Sequence, residues 1–303
     1  MALAAASALV SAESILALTP IAIKKTPLDP ISAIWSRVLS SAALGWLLSS
    51  EKGLAAGELG GATALGYTNL LHIASSYESF RNLPAGQAMS LLYTYPLWNL
   101  VFGSIFGGEK IGFLEFGLIG LAAVGAGLLN TDPGIAAEGG LGRKPVTWWG
   151  ILMGLVMALS ESGMHTILKG FGWRDPAKSV WVVNSSAAVW LAGATGLDAL
   201  TDGFAGPKVI GKATWVDALL LTAFHGFSMF SGYWLRFFAI PRLSTVTYSI
   251  LSFSGLLASY LFGLLFLGER PGWISLLGMV VILVSGITLQ MLRPDEKEEK
   301  KVE

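Results

Sequence analysis

Ten times along the chain, a run of about twenty predominantly apolar residues is bounded by charge, proline or glycine, the length a helix needs to cross the hydrocarbon of a bilayer. The runs cover residues 2–23, 30–49, 58–80, 84–107, 111–130, 147–169, 177–197, 215–238, 243–267 and 272–292. A chain with this pattern has little freedom in where it can fold. Of its residues 53% are hydrophobic and 13% charged, against roughly 45–50% and about 25% in a soluble domain. The charged shell that a soluble core of this size requires is missing. Stretches such as Ile274 to Leu289 are apolar on nearly every face, whereas the strands of a membrane barrel alternate apolar and polar residues over about ten positions. The expected fold class is therefore an all-α membrane protein of ten transmembrane helices.

Several functions are excluded at this level. Net charge is zero and lysine and arginine form no long run, so nucleic acid is not an expected partner. Without cysteine there is no disulfide, thiolate metal site or cysteine nucleophile. His72, His165 and His225 fall into no metal-binding motif, and no cofactor is expected. The N-terminus is apolar from Ala2 without a basic leader, and reads as a retained first helix. A slight excess of Lys and Arg places both termini on the cytoplasmic side.

The chain also repeats itself. Asp29-Pro30 followed by Ile34-Trp35 is matched by Asp175-Pro176 followed by Val180-Trp181. Glu13-Ser14 is matched by Glu161-Ser162, and Glu109-Lys110 before Gly112-Phe113-Leu114 by Glu269-Arg270 before Gly272-Trp273-Ile274. The matches keep chain order. They divide the protein into a first five-helix unit (1–131), a linker (132–146) rich in turn residues such as Asp132-Pro133-Gly134, a second unit (147–292) and a charged tail (293–303). An odd number of helices per unit makes the second copy begin on the opposite side of the membrane, so the repeat is inverted.

Leu83-Pro84-Ala85-Gly86, Tyr95-Pro96 and the Gly108-Glu109-Lys110 turn before a Gly-rich helix, with Leu267-Gly268-Glu269-Arg270 ending the second half, resemble the drug/metabolite transporter superfamily, EamA type. The resemblance covers nearly the whole chain. It implies a central cavity open to one side at a time and transport of small metabolites without ATP. In that family the Gly-Glu turn is structural rather than catalytic. The second half has Ser252-Phe253-Ser254 and Leu256 where the first has Tyr93, Tyr95 and Pro96, so the halves need not contribute equally to a site.

Ionisable residues inside apolar helices cost at least about 2.5–3.5 kcal/mol each on insertion scales, which marks them as functional candidates. Glu13 and Glu161 occupy matching positions and are expected to meet near the midplane. Two carboxylates in one low-dielectric space resist being charged together, so such a pair can exchange a proton near neutral pH. The stretch from Glu161 to Lys169 also resembles the first helix of the small multidrug resistance family, whose members use one membrane glutamate for a proton or a cationic drug; this implies a coupling role for Glu161. Arg37 either clamps a substrate carboxylate or pairs with Glu13 or a carbonyl. His165, one turn beyond Glu161, is a proton relay or a helix-interface hydrogen bonder. Tyr93 and Tyr248 are the chosen cavity aromatics among Tyr67, Tyr95, Trp98, Tyr233 and Trp234. Lys169, Arg81 and Arg242 read as interfacial anchors, and Pro20, Pro84 and Pro96 as points where helices break or bend.

The reading is a secondary active transporter of small metabolites such as amino acids or amphiphilic compounds, an exporter or exchanger working by alternating access, with protons as the candidate coupling ion and the lipid bilayer as its setting. The alternative is an organic-phosphate or nucleotide-sugar antiporter, which calls for clustered Lys and Arg. A membrane-embedded enzyme ranks lower, because no metal cluster, Gly-x-Ser-x-Gly elbow or Ser, His and acid order is present.

Overall fold

A computed structural model describes residues 2–95, 97–98, 101–102, 105, 112–131, 147–171, 173, 175–202, 214–243, 248 and 251–292. Pro96, the turn bearing Glu109, the linker 132–146 and the tail 293–303 lie outside the described residues. Those residues are all-helical, with no strand among them. In chain order the helices are α1 (Ala2–Leu16), α2 (Thr19–Lys25), α3 (Pro30–Leu48), α4 (Leu59–Asn82), α5 (Ala85–Leu92), α6 (Phe113–Thr131), α7 (Trp148–Phe171), α8 (Pro176–Asp202), α9 (Trp215–Phe224), α10 (Phe230–Ala239), α11 (Ser254–Leu267) and α12 (Trp273–Leu292). Among the described residues three stretches are long and apolar enough to cross a membrane by length and composition: Leu3–Lys25, Pro30–Leu48 and Trp148–Leu168. Phe113–Gly125, Ser254–Leu267 and Trp273–Thr288 are shorter apolar helices.

Local chemistry explains the starts and stops. Asp29 caps α3 by accepting from the Ser32 amide at 3.0 Å, with Pro30 in the first turn where its missing N–H costs nothing. Asp175 plays the same part before Pro176 of α8, accepting from the Ala177 amide at 2.9 Å. Thr214 and Asp217 form a capping box that opens α9. Helix α11 ends at Gly268, whose φ of 66° lies in the left-handed region that glycine enters without strain.

Four of the expected helices are interrupted, the run 243–267 by a turn at Phe253 just before α11. The run 2–23 is two helices, because Pro20 cannot donate to the ladder; the chain passes through a turn at Ala17–Leu18 and restarts with Pro20 in the first turn of α2. The run 215–238 holds a π-helical segment, His225–Met229, between α9 and α10. The run beginning at Pro84 gives α5 and then a turn at Tyr93–Thr94, where the Thr94 amide bonds the Leu91 carbonyl at 3.1 Å. Each interruption falls within about a turn of a polar residue of the interior, namely Glu13, His225, Tyr93 and Ser252.

Helix packing is pairwise and close. Helix α4 lies on α7, α1 on α10, α3 on α8 and α6 on α12, with further contacts of α4 with α8, of α5 with α7 and α11, and of α1 with α11. Glycine sets the separation in two places. A Cβ on Gly45 of α3 would stand 2.7 Å from the backbone nitrogen of Trp181, and one on Gly66 of α4 would stand 2.5 Å from the backbone of Ser186. The largest core cluster runs from Ile23 and Ile34 through Ile73, Tyr77, Leu91 and Tyr93 to Met157 and Leu256. Ionic groups touch it at Tyr93 and Tyr95.

A buried ionic cluster as the candidate functional site

Helix α10 supplies the hub. Its Arg236, 3% exposed, donates from Nε to the Tyr248 hydroxyl at 2.9 Å and lies 3.0 Å from Oε1 of Glu13. Its NH1 donates to Oε1 of Glu161 at 2.5 Å. The two glutamates from opposite halves of the chain are therefore held by one guanidinium. Both are buried, Glu13 at 1% exposure and Glu161 at 0%. Isolated carboxylates in such surroundings would be strongly disfavoured, and a planar fork of five donors suits two acceptors at once.

Each carboxylate has further partners. Glu13 Oε2 accepts from the Tyr93 hydroxyl at 2.5 Å. That contact is shielded by Gly255 of α11, where a Cβ would fall 2.0 Å from the Tyr93 oxygen. Glu161 Oε1 lies 3.3 Å from His165 Nε2, one helical turn along α7, and its Oε2 lies 3.3 Å from His72 Nδ1. The His165 ring meets Tyr95 and Tyr248 edge-on, with centroids 5.4 and 5.8 Å apart. The Arg236 guanidinium also sits 5.9 Å from the Tyr95 ring centre.

A directional chain leads away from Glu161. His72 Nδ1 faces the Met157 carbonyl at 3.2 Å as well as Glu161, two acceptors that place the proton on Nδ1 and leave Nε2 as an acceptor. Nε2 then receives the Tyr233 hydroxyl at 3.4 Å, and that hydroxyl in turn accepts from NH2 of Arg37 at 3.1 Å. Tyr233 precedes Arg236 by one turn on α10, so one helix face carries both the hub and its link to Arg37. Beside this chain, His225 of the π segment bridges Ser36 Oγ (3.0 Å) and the Tyr77 hydroxyl (3.1 Å).

A small cavity of about 30 Å³ lies between these groups, with Glu13, Arg37, His72, Tyr93, Tyr233 and Arg236 in its lining. That is space for about two water molecules. Polar ties close both ends of α3, which at 19 residues is about 28 Å long. At its start, Arg81 donates to the Leu28 carbonyl at 2.9 Å. Nearby, Glu269 accepts from the Ala85 amide that opens α5 (2.7 Å) and pairs with Lys24 of α2. At its end, Asp175 accepts from the Ser49 and Ser50 hydroxyls (2.8 and 3.0 Å), and Lys178 pairs with Glu51 at 2.8 Å. Partial burial of Asp175 opposes ionisation, but the hydrogen bonds from Ser49, Ser50 and Ala177 outweigh it and hold the carboxyl below its ordinary value.

Of the residues singled out in the sequence, Glu13, Glu161, His165, Tyr93 and Tyr248 share this cluster. Arg37 does not pair with Glu13 or with a carbonyl; Tyr233 is its hydrogen-bond partner, because Arg236 occupies the Glu13 side. Tyr67 is exposed and packs on Trp190, and Trp234 stacks on Phe238, both away from the cavity. Arg81 is a tie between helices rather than a free anchor, whereas Arg242 is exposed and lies over the Phe238 ring. Lys169 has no described side chain. Sequence reasoning passed over Arg236, although an arginine inside the apolar run 215–238 is the same signal that singled out Arg37. No group of three or more His, Asp or Glu suited to a metal ion occurs among the described residues.

No protein-family model matches the chain, and no curated protein matches it. Among solved structures, one described only as the crystal structure of a protein superposes over 94% of this chain and 98% of its own, with a TM-score of 0.56 and 15% identity. At that identity the likeness is one of fold.

Proposed function

We propose that the chain is a ten-helix integral membrane protein built of two inverted five-helix units, and that it is a secondary transporter of small metabolites such as amino acids or amphiphilic compounds. The observation that carries the reading is the Glu13–Arg236–Glu161 cluster, which joins the two halves through charges buried beside a cavity. A structural core has little use for two carboxylates that a hydrophobic pair could replace at no loss of stability.

The distribution of polarity supports the membrane part. Leu48, Phe113, Phe116, Val189, Leu220 and Leu265 are exposed while Glu13, Arg37, Glu161 and Arg236 are inside, the reverse of a soluble domain. The packing supports the inverted repeat. Exchanging the halves maps the contact of α4 with α7 onto that of α10 with α1, and the contact of α5 with α7 onto that of α11 with α1. It leaves the pairs α3 with α8 and α6 with α12 unchanged. The breaks in α1–α2, at Tyr93 and at the π segment supply places where helices can bend as a cavity opens alternately to either side. The organic-phosphate alternative finds less support, since of the two guanidinium groups on the cavity Arg236 is already committed to two carboxylates.

The test is solute uptake into proteoliposomes under an imposed pH gradient. Glu161→Gln keeps an acceptor for Arg236 and leaves Glu13 as its counter-charge, so the variant is expected to elute as the wild type does while losing the pH dependence of uptake. Full retention of pH-driven uptake would remove Glu161 from the coupling role.

A further inference from the structure

We propose that Arg37 is the carboxylate-binding group of the cavity and that the solute is a monocarboxylate with an apolar body. This rests on the transport reading for its purpose, and on the geometry of α3 and α10 for its chemistry.

Arg37 is 3% exposed and sits two turns into α3, away from either end. Its five N–H donors meet one acceptor among the described residues, the Tyr233 hydroxyl. No described carboxylate lies within 4.0 Å of it, whereas Arg236 at equal burial has two. Counting histidine as neutral, the two glutamates and two arginines sum to zero, so the charge of Arg37 is compensated at a distance. Its hydrogen-bonding capacity is not. A guanidinium left in that condition beside a cavity is a receptor for an anion with two coplanar oxygens, the geometry a carboxylate offers.

The walls set the rest of the solute. Beyond Arg37, Tyr233 and Ser76, the cavity is bounded by Leu16, Phe80, Met89 and Leu92, which favour a short aliphatic or aromatic body. Glu13, paired with Arg236 in the lining of the same cavity, opposes a second negative charge, so dicarboxylates and phosphate dianions fit the site poorly. The space for two waters accepts the carboxylate head alone. The body enters when the helices around the breaks separate.

Two contacts make the site more than a point charge. The Tyr233 hydroxyl that now accepts from Arg37 is also the donor to His72, and His72 faces Glu161. A carboxylate on the remaining Arg37 donors therefore stands one hydroxyl and one imidazole away from Glu161.

The experiment is a thermal-shift titration of the detergent-purified full chain with hexanoate, hexanol, leucine, succinate and inorganic phosphate. Hexanoate is expected to raise the apparent melting temperature, and hexanol, succinate and phosphate are not. Leucine equal to or better than hexanoate would identify Glu13 as the partner of an ammonium group and still place the carboxylate on Arg37. Arg37→Met is expected to weaken hexanoate binding roughly 10- to 100-fold, the worth of a charged hydrogen bond, while melting close to the wild type without ligand. Should Arg37→Met fail to fold, Arg37→Lys keeps the charge and loses the fork, with an expected intermediate loss of binding. Equal stabilisation by hexanol, a stronger response to phosphate, or an undiminished response in the folded Arg37 variant would overturn the assignment. The outcomes separate the two readings. Arg37-dependent binding without movement of solute across proteoliposomes removes the transport reading and keeps the site, and pH-driven transport without any carboxylate response does the reverse.

Discussion

Arg236 and Arg37 are alike in residue type and in burial, each 3% exposed, and differ in company. Arg236 is surrounded by groups that the chain itself provides, with two carboxylates and a tyrosine hydroxyl taking its donors. Arg37 has a tyrosine hydroxyl and the face of the same ring, 5.6 Å from its carbon to the ring centre. A buried charge completed by its own chain costs a great deal to remove, because its partners are left uncompensated. One left incomplete beside a cavity contributes little to the fold, and its persistence needs another reason, which a ligand supplies.

Removal of the two arginines breaks or sharpens this contrast, and the larger effect belongs to Arg236. Arg236→Met leaves Glu13 and Glu161 without the guanidinium that contacts both, and the expected loss is about 3–5 kcal/mol of stability. It is read as a large fall in melting temperature beside the near-neutral Arg37→Met. Equal losses in the two variants would erase the distinction. A smaller change reaches the same hub indirectly. Gly255→Ala places a methyl group 2.0 Å from the Tyr93 oxygen, and because Tyr93 is fully buried it cannot yield without leaving Glu13; the expected cost is about 1–3 kcal/mol, measured by chemical or thermal unfolding in detergent. Gly57→Ala, where nothing lies within 4 Å of the new carbon, is the matched control and is expected to be silent.

The smallest effect lies at the end of α3, where the ionic groups meet solvent. Because Asp175 is held below its ordinary value of 3.8, its contribution is fully present at neutral pH. It shrinks as pH falls below that value and is gone once the folded-state group is protonated. The wild type is therefore expected to lose more stability between neutral and acid pH than Asp175→Asn does, the two curves converging at low pH. Parallel curves would show that the Ser49, Ser50 and Ala177 hydrogen bonds do not favour the ionised form. The contrast with the buried hub is one of screening, since exposed pairs are worth little and respond to salt.

The positions of the helices were readable because the requirement for long apolar runs is one-dimensional, and because caps such as Asp29-Pro30 and Asp175-Pro176 are written in adjacent residues. The break before Pro20 was equally legible, since proline removes a donor wherever it falls. The π segment at His225–Met229 was not: nothing in His225-Gly226-Phe227-Ser228-Met229 forbids an α-helix, and the extra residue in the turn goes with the packing of this segment against α3. The candidate site was half legible. Matching positions pointed to Glu13 and Glu161, but a sequence does not tell which cation stands between them.

The sequence by itself determined helicity, the approximate helix ends and the presence of charges that apolar runs cannot tolerate alone, because each of these depends on neighbours within a few residues. Only the tertiary structure decided that Arg236 and not Arg37 joins the two glutamates, that Tyr233 stands between Arg37 and His72, and that Gly255 leaves room for the Tyr93 hydroxyl. Ion pairing is settled over 3–4 Å between residues far apart in the chain. Which of two buried cations reaches a given carboxylate follows from helix packing that no local pattern encodes.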